Sequence, residues 1–302
     1  MLSKDELLNV LKDCNWVKSF AAERIGVDEK SIRRWCKHYK INSEFVHKQK
    51  VVADKGVEFA RKVNLDNINT NDREYNVLAI GDIQAPFQED GYLDFLLDVK
   101  KRFKCNKIVN IGDEVDFHAL SFHTPDPDGM GKVEEFQQAM KFMKLLYKAF
   151  PVASACTSNH TARPYRIAFE AGIPTYFLRT YREFMQAPRG WQWYDRVTVN
   201  NVIYQHGTGY SGAMGHVKAA IENRQSTVIG HLHSGGGVNY LASHNDLIFG
   251  ANVGCGIDAR AYAFKYGRDC GKKPTLGCGV VLGGKEAFFV PMNLGSRVEY
   301  KA

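Results

Sequence analysis

Asp82 closes the apolar run NVLAI-Gly, and Gln84 follows two positions later. Further along, NKIVNIGDEVD delivers Asp113 and Asp116, and VASACTSNH delivers Asn159 and His160. NVIYQHG then delivers His206, and STVIGHLH delivers His231 and His233. Carboxylates, amide oxygens and imidazoles are the ligands that borderline divalent metals take. One Asp after Gly is ordinarily a turn former, and one His after a strand is ordinarily a structural hydrogen-bonder. Successive strand ends that all carry metal-ligand types point instead to a metal centre. Gln84 stands out within it. An acid followed two residues later by histidine would hold a metal well, and the neutral amide oxygen of glutamine is a weaker donor for this metal class.

The elements that must position these groups are legible as alternating strands and helices. The polar residues all follow short β-rich runs. Between the runs, Tyr92, Phe95, Leu96, Val99 and Phe103 form an apolar stripe over 92–103, and Val133, Phe136, Met140, Met143, Leu146 and Tyr147 form one over 133–149. Strands alternating with helices predict an α/β domain, in which polar groups at strand ends converge beside the sheet. The aromatic stretch RGWQWYDRVTVNN (189–201) is expected to pack into the core. HTPDPDG (123–129) is only superficially like a calcium loop, because Pro125 and Pro127 interrupt it, and is read as a rigid loop beside the site.

The order Asp, Gly-Asp, Asn-His, His, Gly-His-x-His resembles the calcineurin-like metallophosphoesterase superfamily over residues 75–254, and weakly beyond. DFHALSFHTPDPDG and QHGTGYSGAMGH are similar to phage- and prophage-encoded members. The resemblance implies a four-layer sandwich of two mixed β-sheets flanked by helices, holding two adjacent divalent metals. Manganese is foremost, with iron and zinc as alternatives. Asp113 would bridge the metals. Asp82, Gln84 and His233 would complete one site, and Asn159, His206 and His231 the other. A metal-held hydroxide would attack phosphorus, His160 would donate a proton to the leaving oxygen, and Asp116 would orient its neighbours. Arg163 and Arg166 are placed either to contact phosphate or to sit as surface charge on the following helix. Ser158 and Thr161 depart from the family, which usually has Gly before Asn-His and an acid after it. Gln84 is the third departure, read as a tuned ligand in preference to a decayed one.

Residues 5–41 predict three short helices. Asp28 is expected to cap the third and Gly26 to stop the second. This segment resembles a Fis- or resolvase-type helix-turn-helix. Lys30, Arg33, Arg34 and Lys37 share one face of the third helix, and that face could enter a major groove. The alternative is a protein-docking module with a solvated basic face. Residues 1–64 hold 14 Lys/Arg against 9 Asp/Glu, leaving only +2 of the net +7 for the rest of the chain. A basic segment on a near-neutral body suggests an acidic partner at one end. The expected organisation is a helix-turn-helix at 1–42, a linker at 43–72 with a marginal helix around 45–63, and the metallophosphoesterase domain at 73–302.

No apolar window is long enough to span a membrane, and the charged start MLSKDELLNV lacks a signal-peptide core, so a cytoplasmic protein is expected, in the host cytoplasm if phage-encoded. The seven scattered cysteines include no Cys-x-x-Cys pair, and are read as reduced structural thiols. The function expected is a metal-dependent phosphodiesterase or nuclease acting on DNA. One rival is a phosphomonoesterase acting on nucleotides, nucleic-acid ends or phosphoproteins. The other is a DNA-binding regulator with a degenerate metal site.

Overall fold

Three helices open the chain: α1 (Lys4–Asp13), α2 (Lys18–Ile25) and α3 (Glu29–His38). They belong to a computed structural model that describes residues 2–13, 18–39, 41, 58–62, 65–121, 129–261 and 273–292. Leu7, Leu11, Ala21, Ala22, Ile32 and Cys36 are buried together as a core of their own. Gly26 takes the left-handed conformation (φ 70°) that ends α2. Asp28 accepts from the Ser31 N–H at 2.7 Å and so caps α3. Lys30, Arg33, Arg34 and Lys37 are exposed on α3, with Arg33 paired to Glu29 at 2.6 Å. Of the helix expected around 45–63, residues 58–61 are described and are helical. The rest of that helix, most of the expected linker and nearly all of the loop at 123–129 lie outside the described residues.

The main body is a mixed α/β arrangement built on one hydrogen-bonded sheet of eleven strands. In chain order its elements are β1 (Leu65–Thr70), β2 (Asn76–Ile80), α4 (Tyr92–Arg102), β3 (Lys107–Asn110), α5 (Lys132–Ala149), β4 (Ala153–Cys156), α6 (Arg163–Glu170), α7 (Tyr181–Phe184), β5 (Trp191–Val199), β6 (Val202–Tyr204), α8 (Gly215–Asn223), β7 (Thr227–Ile229), β8 (Gly237–Ala242), β9 (Leu247–Asn252), β10 (Gly277–Leu282) and β11 (Glu286–Pro291). The strand order is β11-β10-β2-β3-β4-β5-β6-β7-β9-β8, with β1 pairing in parallel to β5 off this path. Strands β2 to β5 run parallel, as the intervening helices require, and β10, β11 and β8 add antiparallel edges. Two separate sheets were expected. Here the ladder is continuous, because the nine residues of β5 pair with β4 at one end and with β1 and β6 at the other.

Two apolar clusters flank this sheet. One joins Leu78, Ile80 and Trp191 to helix residues such as Tyr92, Leu96, Met143 and Leu146. The other consists of strand and strand-end residues, including Val77, Val109, Tyr204, Val228, Phe249 and Val281. The alternation along β2 divides these faces: Val77 and Ala79 go to the second cluster, Leu78 and Ile80 to the first. The aromatic stretch is β5, with Trp191 and Trp193 buried as expected. Described cysteines 36, 105, 156, 255 and 278 are all buried. No helix among the described residues is long and apolar enough to cross a membrane.

Trp193 also donates its Nε1–H to Glu114 Oε1 at 2.8 Å, tying β5 to the segment after β3. Glu114 is completely buried, and burial pushes its carboxyl up to about 8 from an ordinary value of 4.5. The folded chain therefore keeps a proton that the unfolded chain sheds. Stability from this group is full below pH 4.5 and falls as pH rises towards 8, by up to about 1.4 kcal/mol per pH unit. Glu114→Gln, which is neutral throughout, should gain on the native protein in urea midpoint as pH rises from 5 to 8. A native-to-variant difference that stays constant over this range would show that Glu114 does not enter the fold as an acid.

Candidate metal centre

The sheet delivers its polar residues through unusually tight strand ends. At Gly112 (φ 104°) an added Cβ would lie 2.6 Å from Ser158 Cβ, and at Gly230 it would lie 2.4 Å from Asp82 Oδ1. Glycine before Asp113 and before His231 thus lets neighbouring strand ends approach. The residues that follow are themselves bent: Gln84, Asp113 and His231 all lie in the left-handed region, at φ 51°, 52° and 65°. Such conformations cost of order 1–3 kcal/mol for non-glycine residues and persist where surrounding contacts hold them. Those contacts are present. The Ile83 and Gln84 N–H groups donate to the Asp113 carbonyl, the Asp113 N–H donates to Ser158 Oγ at 2.8 Å, and the His231 N–H donates to both Asp82 oxygens at 3.0 and 3.1 Å.

Two groups of potential ligands result, and they share one residue. Asp82, Asp113 and His233 form the first; Asp113, His206 and His231 form the second; within each, the ligand atoms lie within 4.8 Å of one another. An amide flanks each group. Gln84 Nε2 lies 3.3 Å from His233 Nε2, and Asn159 Oδ1 lies 2.8 Å from His206 Nε2. The two amide ends of Gln84 are interchangeable by rotation, so either the oxygen or the nitrogen can face that imidazole. His206 Nδ1 sits 3.1 Å from the Ile111 carbonyl, which takes the proton on that nitrogen and leaves Nε2 for the site.

This donor set fits a cation. Asp82 and Asp113 are fully buried carboxylates, and Asp113 Oδ2 and Gln84 Oε1 are buried oxygens with no hydrogen-bond partner. Burial alone would push both acids up. The positive charge available on His206, with His160 beside Asp113 and His233 beside Asp82, instead holds both carboxyls below their usual range. Burial opposes charge on His206 too, but Asp113 and Asp82 outweigh it and lift His206 to about 9. Burial and the neighbouring His206 lower His231 to about 4, leaving its lone pair available. A divalent cation would replace the His206 proton as the counter-charge to these acids.

The remaining residues expected at the site divide in role. His160 Nδ1 is 2.5 Å from Asp116 Oδ1, and its Nε2 is 3.9 Å from Asp113 Oδ2. Arg163 donates to the Asp116 and Phe117 carbonyls at 2.7 and 3.0 Å and meets His160 Nε2 at 3.2 Å. Arg166 is buried, donates to the Leu120 carbonyl at 2.5 Å, and is pushed down to about 10 by burial. Sequence reasoning passed over the support beneath Asp113. Ser158 Oγ and Thr161 Oγ1 are 2.5 Å apart, so the two departures from the family pattern are partners, and their hydroxyl pair holds the Asp113 backbone. The spacing of two hydroxyl residues three apart across Asn-His was the only available signal.

No family model matches the chain, and no curated protein matches it. Among solved structures it is similar to Vacuolar Protein Sorting 29 from Cryptosporidium parvum, at 12% identity over 70% of this chain and 88% of that one, with a TM-score of 0.32. At that score the likeness supports nothing further about the site.

Gly230→Ala provides a test of the tight approach. Its Cβ would displace Asp82, so bound manganese after dialysis should fall, with affinity lower by roughly 10–100-fold as when a ligand's support is removed. Gly237→Ala, where nothing lies within 4 Å of the new Cβ, should leave it unchanged. Circular dichroism checks that both variants fold; equal metal retention by the two would show that Gly230 does not seat Asp82.

Proposed function

We propose that this chain is a two-metal phosphodiesterase acting on DNA. The observation that carries this reading is the sharing of buried Asp113 between two ligand groups, since one carboxylate common to two cations is what a phosphoryl clamp needs. Asp82, His233 and Gln84 would serve one cation, and Asn159, His206 and His231 the other. Manganese suits the mixed oxygen and nitrogen donors, with iron or zinc as alternatives. When bound, the pair supplies Lewis-acid polarisation of the phosphate and activation of a water.

The chain's own groups do the rest. His160 is the proton donor to the leaving oxygen, with Asp116 fixing its ring through Nδ1. Arg163 can only donate, so His160 Nε2 accepts from it in the resting arrangement. An anionic phosphate oxygen entering beside Nε2 would draw the guanidinium to itself, and Nε2 would then take up from solvent the proton that it passes to the leaving oxygen. Arg163 thus acts as the phosphate contact, while Arg166 braces the 118–120 turn. The neutral Gln84 leaves its cation less tightly held than an imidazole would, which suits a diester bearing a single charge. The exposed basic face of α3, with Lys30, Arg33, Arg34 and Lys37, supports a DNA-reading role for the N-terminal helices.

With manganese, native protein should hydrolyse an aryl phosphate diester and linear DNA faster than an aryl monoester. Monoester-only activity would favour a phosphomonoesterase, and metal binding without turnover a regulator. Asp113→Asn should abolish activity together with metal binding. His160→Ala should keep its metals and lose roughly 10²–10⁴ in turnover, most on poor leaving groups. An active Asp113→Asn protein, or a metal-free His160→Ala protein, would contradict these roles.

Changing Lys30, Arg33, Arg34 and Lys37 together to Gln should reduce the slope of log K for DNA against log salt by up to about 3.6, because each lost phosphate contact removes about 0.9 from the slope. An unchanged slope would remove DNA from the N-terminal helices.

A further inference from the structure

Beside the second ligand group the surface opens into a cleft of about 450 Å³, of which His206 itself forms part of the wall. That volume falls within the range of sites that enclose small organic ligands. Asp195 and Arg196 of β5 line it as well. Arg196 lies one step beyond the Val197–Tyr204 pair of the β5–β6 ladder, and His206 two steps beyond it on the other strand. Arg196 thus falls opposite Gln205, the neighbour of His206, and all three residues line the same cleft.

The charges lining the cleft are not equivalent. Arg61 pairs with Asp195 at 2.7 Å, and Lys218 with Glu222 at 3.6 Å. Among the described residues Arg196 has no such partner, and its guanidinium is exposed in the same cleft. One uncompensated guanidinium offers planar, charge-assisted donors suited to a phosphate. In this largely polar cleft the half-buried ring of Tyr210 offers one flat face, and the Thr208 hydroxyl, which donates to Asn159 Oδ1 at 3.4 Å, a polar neighbour to it. A sugar and base need such a surface, and a bare inorganic anion does not.

We infer that this cleft seats the nucleotide adjoining the scissile phosphate, and that Arg196 receives the next phosphate along the strand. The inference rests on the phosphodiesterase reading and sharpens its substrate to a polynucleotide strand. Arg196 is here a specificity determinant, distant from the reacting atoms and acting on which diesters are held.

The test is equilibrium binding to the full chain with manganese present. Three thymidine dinucleotides are used, each with an uncleavable methylenephosphonate linkage: one without a terminal phosphate, one with a 5′-phosphate and one with a 3′-phosphate. One phosphorylated form should bind native protein about tenfold more tightly than the unphosphorylated form, equivalent to about 1.4 kcal/mol. Arg196→Gln should bring that ratio to about one, and Arg196→Lys should keep part of it. Each ratio is measured within a single protein, so a general loss of folding does not imitate the effect. No gain from either phosphate in native protein, or a gain that survives Arg196→Gln, overturns the inference. Turnover of a small aryl diester is measured in parallel. Absent turnover with the Arg196-dependent ratio intact would sink the phosphodiesterase reading and leave a nucleotide-binding cleft. Normal turnover without the ratio would sink the cleft alone.

Discussion

The Asp113 carboxylate is the constraint around which this molecule is arranged. It is fully buried, and taking a carboxylate out of water costs several kcal/mol unless opposite charge and hydrogen bonds replace the lost hydration. The fold meets that cost from every side. The His160 N–H donates to Oδ1 at 3.0 Å, His206 approaches Oδ2 at 3.3 Å, and Ser158 holds the residue's own N–H. Oδ2 still lacks a hydrogen bond. The left-handed backbone at Asp113, and the close packing of Gly112 on Ser158, follow from bringing all these partners to one carboxylate.

Much of this was legible in the sequence because strand ends are punctuated locally. Asp82, Asp113, Asn159, His206, His231 and His233 each close a short apolar run, and an α/β sheet gathers such ends whatever its exact strand order. The stripes of α4 and α5 were equally plain, since helical periodicity reports which side faces a core, although Val133 in the first turn of α5 is exposed and not part of it. The buried tryptophans of β5 were readable from composition alone.

What escaped depends on contacts between distant parts of the chain. Ser158 looked like a mild departure from a pattern; only the fold sets its hydroxyl under the Asp113 N–H, 45 residues away in sequence. Glu114 and Trp193 are separated by 79 residues and carry no shared motif. Arg163 and Arg166 are three apart on one helix, yet one reaches the site while the other is buried against the 118–120 turn. The continuous ladder was also hidden, because nothing local in β5 announces that its two ends pair with different neighbours.

The pairing of Arg61 with Asp195 has a consequence of scale. It pins the chain to the rim of the cleft only 20 residues after Ile41, the last described residue of the N-terminal segment. A polypeptide extends at most about 3.5 Å per residue, so 20 residues span no more than roughly 70 Å. If α3 seats in a major groove, as proposed, the candidate centre would stay within about 20 base pairs on either side, since duplex DNA rises about 3.4 Å per pair. On that proposal, any cutting would be confined to the neighbourhood of the bound site, and the number of intervening residues would set the size of that neighbourhood.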